Sequence, residues 1–144
     1  MNRLEHEDRI IELLRRDLPG VHVDSLPLGL SDRLALQVRT ATVWVVYGGG
    51  QIKSPADHNV GQHIEYWHWT ILILVAAYRN TREGVDAALP LLEAVNESLS
   101  WANFGGRALI HTGDAMLELK EGCGLVGYES NFFIQSFMRR GKNA

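Results

Sequence analysis

One stretch constrains this chain more than any other: Ile64-Glu65-Tyr66-Trp67-His68-Trp69-Thr70-Ile71-Leu72-Ile73-Leu74-Val75. Its first half alternates, with Glu65 and His68 interrupting the apolar residues, and its second half is apolar at every position. β-Branched and aromatic side chains fit a pleated sheet better than a helix, so residues 64–78 read as a strand. A strand with two apolar faces must lie inside its sheet with cover on both sides. The longest apolar run, 71–77, falls far short of the roughly 20 residues that cross a bilayer.

Two amphipathic helices are expected to supply cover. In 3–17, Leu4, Ile11, Leu14 and Leu18 recur at helical spacing, Ile10 and Leu13 widen the stripe, and Pro19-Gly20 stops it. Glu5 and Glu12 each precede an arginine by four residues, the favourable order on an exposed helix face. In 80–101, Val85, Ala88, Leu92, Val95 and Leu99 form a second stripe. Pro90 lies within it, implying a helix start just before the proline or a kink there. A short helix over 31–38 is expected to carry Leu34 and Val38 on one side.

Further strands are expected at 21–25, 42–47, near Leu109-Ile110, at 115–120 and at 125–138. Residues 121–124 would join the last two as a hairpin, and Asn103 to Gly106 would turn. Gly48-Gly49-Gly50 is expected to close its strand and open a long polar loop through Gly61. Runs of adjacent strands between helices define an α+β fold, an antiparallel or mixed sheet flanked by two main helices. Residues 1–144 are expected to form one domain, with 139–144 a flexible tail.

Chemical signatures fail one by one. Gly48-Gly49-Gly50-Gln51-Ile52-Lys53-Ser54 suggests a phosphate loop, but Ile52 precedes the lysine where glycine is required, and Pro55 follows instead of a helix. His58, His63 and His68 are spaced by five, which puts His63 and His68 on opposite faces of a strand. Cys123, the one cysteine, permits no internal disulfide and no cysteine-based zinc pattern. It lacks a catalytic signature, and no Gly-x-Ser-x-Gly elbow is present. The formal charge of -3 argues against a dedicated nucleic-acid binder. No catalytic residue, metal or cofactor is therefore expected. Trp67 and Trp69 share a strand face, and Trp44 and Tyr47 lie on the preceding strand. Packing under a helix is the leading reading, and a protein interface the other.

The succession of elements resembles the small minor tail proteins of Mu-like phages, a group similar to the tail terminators of long-tailed phages. An amphipathic helix ending in Leu18-Pro19-Gly20 leads to a short strand, then to Ala41-Thr42-Val43-Trp44-Val45-Val46-Tyr47-Gly48-Gly49-Gly50. A long strand runs into Ala76-Ala77-Tyr78-Arg79-Asn80. Leu91-Leu92-Glu93-Ala94-Val95 lies in a helix, and the C-terminal strand contains Tyr128, Phe132 and Phe133. The chain departs from the group in lacking proline near Ala41.

The resemblance implies a virion tail protein, assembled in the host cytoplasm without a membrane. It implies a self-associated ring, a hexamer in most such proteins, at the head-proximal end of the tail tube. There it would contact the tube protein and the head-tail connector while DNA passes through its lumen without specific binding. A neutral to acidic lumen would suit that passage. Candidate partner or lumen contacts are Gly49, Gly50, Gln51, Lys53, Asp57, Arg139 and Arg140. A head-completion or connector protein of the same virion is the nearest alternative, and a small ligand-binding α+β domain the more distant one.

Overall fold

The computed structural model describes residues 2–26, 41–52, 62–77, 81–119 and 124–139. In chain order the elements are α1 (Arg3–Asp17), β1 (His22–Ser25), β2 (Thr42–Ile52), β3 (Gln62–Ala76), α2 (Thr81–Leu99), β4 (Asn103–Phe104), β5 (Arg107–Ala108), β6 (Ile110–Met116) and β7 (Leu125–Arg139). Five strands form one mixed sheet in the order β1-β2-β3-β7-β6, and β4 and β5 form a small second sheet. The fold is α+β, and the doubly apolar strand β3 occupies the centre of the main sheet as its composition requires. β1 runs parallel to β2, and the other neighbours in the main sheet are antiparallel.

Both helices pack on one sheet face. Ile10 and Leu14 of α1 and Leu92, Val95 and Leu99 of α2 share a core with Val43, Val45, Trp69, Ile71, Ile73, Phe132 and Ile134. Ser98 Oγ donates to Asp17 Oδ2 at 2.7 Å and ties the two helices together. The other face carries a smaller cluster, in which Trp44 and Leu74 pack with Leu26, Leu72, Leu117, Leu119 and Leu125. Trp44 and Tyr47 therefore face opposite ways, as an odd spacing on a strand dictates.

Several elements differ from the expected boundaries: β3 starts two residues early, at Gln62, and the expected turn at Asn103 to Gly106 and short strand near Leu109-Ile110 are a β4–β5 hairpin, with Ile110 opening β6. β2 does not end at the glycine triplet but continues to Ile52, absorbing Gly48 as a bulge between Tyr47 and Gly49. β6 begins at Ile110 and ends at Met116, so residues 117–119 are not strand, and a register shift between His111 and Gly113 accommodates the extra residue. α2 runs unbroken through Pro90. Pro90 and Asp86, whose carbonyl the proline leaves without its helical donor, are both exposed, so water can satisfy it. The expected short helix at 31–38 and the hairpin turn bearing Cys123 lie outside the described residues.

Gly84 sets how closely α2 sits on the sheet. A Cβ there would lie 2.5 Å from Val126 Cγ2 and 2.7 Å from Ala77 Cβ, so only glycine permits this approach.

Candidate assembly site at the narrow end of the sheet

The sheet is not equally wide along its length. β1 pairs no further than Ser25 with Val45, and β6 begins its pairing at Ile110 with Phe133. Beyond those rungs it narrows, among the described residues, to β2, β3 and β7. The rows there read Ile52, Glu65, Ser136 and Gly50, Trp67, Ile134. β3 and β7, 15 residues each, would each span about 50 Å when extended.

The start of α1 covers the helix-side face of this end. Asn2 caps the helix by accepting the Glu5 N–H at 2.8 Å, which fixes where Arg3 leaves the chain. Arg3 Nη2 donates to Glu65 Oε1 at 2.5 Å, and its Nε donates to the Tyr47 hydroxyl at 2.9 Å. The guanidinium carbon lies 4.6 Å from the Trp67 ring centroid and 5.4 Å from that of Tyr47. The Tyr47 hydrogen bond, more than any other contact, raises the Arg3 pKa. The Glu65 side chain is only 9% exposed, whereas the Arg3 side chain is 42% exposed. A buried acid thus holds a cation at the surface.

Gly50 lies under this cluster. A Cβ there would sit 2.8 Å from the Tyr47 hydroxyl and 3.0 Å from Glu65 Oε1. The glycine that was expected to end the strand instead makes room for the ion pair. One helical turn after Arg3, buried His6 stacks edge-on against Trp67 at 5.0 Å and tilted against Phe104 at 5.2 Å. Its Nδ1 has no partner among the described residues. Burial pushes its pKa below the usual histidine value.

The opposite face of the same end carries half-buried Tyr66, His68 and Phe133, with Tyr66 and Phe133 edge-on at 5.7 Å. His68 Nε2 is buried without a hydrogen-bond partner among the described residues. Next along β3, Thr70 Oγ1 donates to Asn131 Oδ1 at 2.8 Å.

A second polar network lies between α2 and β6. His111 Nε2 contacts Asp114 Oδ1 at 2.8 Å, Asn96 Nδ2 donates to Asp114 Oδ2 at 3.1 Å, and Ser130 Oγ donates to Asn96 Oδ1. Serine, histidine and acid are all present, but in the wrong order for a nucleophile. A catalytic serine gives its proton to histidine, whereas Ser130 gives it to an amide and is fully buried. This network joins helix to sheet. Among the described residues, no three His, Cys, Asp or Glu side chains are placed to hold a metal ion.

Of the residues singled out from sequence, Gly49, Gly50 and Gln51 lie in β2 and not in a loop. The backbone of Arg139 forms the last β7 rung with Gln62. Lys53, Asp57 and Arg140 lie outside the described residues. Trp67 and Trp69 are 3% and 1% exposed, so they pack under the helices and present no surface. Sequence reasoning missed Arg3, His6 and Tyr47 as members of this end. Its one available signal was Glu65, a carboxylate on the same strand face as two tryptophans, which demands a cationic partner.

No family model matches the chain. Over 50 residues it is 38% identical to the inner membrane protein YohD of Escherichia coli (strain K12), a stretch that is 35% of this chain and 25% of that protein. The chain thus spans about a quarter of that relative's length. No helix among the described residues is long and apolar enough to cross a membrane. A solved structure of the virion of a native gene transfer agent (GTA) particle contains a chain of similar fold. The TM-score is 0.56 at 16% identity, covering 88% of this chain and 90% of that one. At that identity the likeness establishes the α+β fold.

Proposed function

We propose that this chain is a non-enzymatic structural subunit of a phage-like virion, and within it the tail terminator. It would form a ring, with six copies the expected number, on the head-proximal end of the tail tube. The ring would stop tube growth and present a surface to the head-tail connector. The observation that carries this reading is a fold shared over nearly the whole of both chains with a component of a gene transfer agent virion. The succession of helix, glycine-containing strand, long central strand and aromatic C-terminal strand supports the same class. A closed ring uses two different patches of each subunit, and the narrow sheet end, with its exposed residues Gly50, Gln51 and Ile52, is the candidate region. DNA would pass through a lumen of neutral to acidic character, in keeping with the net charge of -3.

Deleting the gene in a particle-producing strain tests the reading. Tails of unregulated length without heads are expected, with the labelled protein at the head-proximal tail end of normal particles. Tails of normal length in the deletion would overturn the terminator role. Label confined to the head vertex would move the chain to the head-completion reading.

A further inference from the structure

We propose that copies of this chain join through the two main-chain edges of the narrow sheet end, β2 (50–52) of one copy lying parallel to β7 (134–136) of the next. This rests on the ring reading above and assigns its subunit contact.

Main-chain direction makes both edges competent. Pairing alternates along each strand, so every second residue turns its N–H and C=O away from β3. Leu117 N–H bonds the Gly127 carbonyl on the β6 side, and β7 continues from there in unbroken register against β3. Gln135, eight residues on, therefore points outward past the start of β6. On the other edge, Leu26 N–H bonds the Val45 carbonyl on the β1 side. Carried through the bulge by the register against β3, the same alternation turns Gly50 and Ile52 outward. No described strand pairs with either edge there.

Residue choice along the edges points the same way. Monomeric sheet proteins blunt long edges with charges, proline or bulges. β2 residues 46–52 contain no charge and no proline, and Ile52 is 58% exposed. β7 residues 134–139 carry one charge, Arg139, at the tip. The bulge at Gly48 is the single blunting device on β2, and it leaves 50–52 as the regular part of that edge.

Polarity and height select a second copy as the occupant. β2 and β7 are both antiparallel to β3, so they run the same way. Rotation about an axis along the strands brings the β7 edge of one copy beside the β2 edge of another in parallel. Ile52 and Ser136 share one row through Glu65, so the two edges stand at equal height. A ring can then close without a rise along its axis. A two-fold dimer would instead pair β2 with β2, or β7 with β7.

Hydrogen exchange on the full chain, at a dilution where light scattering gives the monomer mass and at high concentration, tests this contact. The expected result is exchange slowed about tenfold or more at the outward amides of both 50–52 and 134–136 at high concentration. Ile52→Pro and Gln135→Pro, each removing one outward donor, should each abolish the larger species, while Ile52→Thr, which keeps the donor, should preserve it. Melting of each variant at monomer dilution checks that the fold survives. Protection of one edge alone, protection of neither, or equal loss with Ile52→Thr would overturn the proposal. The particle experiment separates the two ideas. Edges that pair in a protein without effect on tail length leave the contact standing and the terminator role refuted, and tail capping without edge protection does the reverse.

Discussion

The Arg3–Glu65 pair should cost far more to break from one side than from both. Glu65 is buried and accepts from Arg3 at 2.5 Å, while the Arg3 side chain is 42% exposed. An exposed pair contributes about 0–1 kcal/mol, but an acid left buried without its cation costs about 3–5 kcal/mol. Arg3→Met strands Glu65 and also removes a cation from the Trp67 face, worth about 0.5–1 kcal/mol. Glu65 lies near the strand end, where water can partly reach it, so the expected loss for Arg3→Met is about 2–3 kcal/mol. Glu65→Leu frees an arginine that can turn to solvent, and should cost about 1 kcal/mol. The double substitution leaves no buried charge and should be no less stable than Glu65→Leu alone. Urea denaturation with unchanged m-values measures all three. Additive losses, or an Arg3→Met loss under about 0.5 kcal/mol, would show that the carboxylate is not held as described.

Other expectations follow from single residues. Gly84→Ala gains up to about 1 kcal/mol of helix propensity but puts a methyl 2.5 Å from Val126 Cγ2. Overpacking of about 1–3 kcal/mol should win, so a lowered urea midpoint is expected, and a raised one would refute so close an approach. Trp101 follows α2 with φ of 65° and is 74% exposed. Trp101→Gly should stabilise the fold by about 1 kcal/mol by relieving the left-handed backbone, read as a rise in melting temperature. Because the His6 pKa is lowered from 6.5, the unfolded chain binds the proton first. Stability should fall as pH drops below 6.5 until the folded-state pKa is passed, and His6→Leu should flatten that slope in a pH series of urea midpoints. Asp17 is held down at about 2 by hydrogen bonds from Arg16 and then Ser98. Its contribution is complete above the unfolded value of 3.8 and should disappear as pH falls toward 2, a loss that Asp17→Asn removes.

Local rules were enough where one element's pattern decides its own fate. The stripe from Leu4 to Leu18, stopped by Pro19-Gly20, placed α1 at its observed bounds of Arg3–Asp17. The doubly apolar half of β3 identified the central strand. The rule failed at Gly48-Gly49-Gly50, because three glycines in a row signal a turn in any local reading. Their actual role depends on Arg3, Tyr47 and Glu65, which lie at other places in the chain and meet only in the folded protein. β6 shows the same failure on a smaller scale. Gly113 looks like a break, yet β7 holds the strand together across it.

The same contrast explains why the candidate site was only partly legible. By sequence, Gly49, Gly50 and Gln51 read as part of a polar loop. They instead belong to a strand whose backbone is the informative part. An edge donor cannot be read from a residue's identity, since every residue but proline carries one. What does show in the sequence is the missing protection: no charge and no proline from Val46 to Ile52. That omission gains meaning once the topology shows β1 stopping at Ser25, opposite Val45, and β6 starting opposite Phe133. Glu65 then has a second consequence. Among the described residues it puts a buried charge of this end in the middle strand, paired to α1, while 50–52 of β2 and 134–136 of β7, the rows where a neighbour would add its strand, carry none.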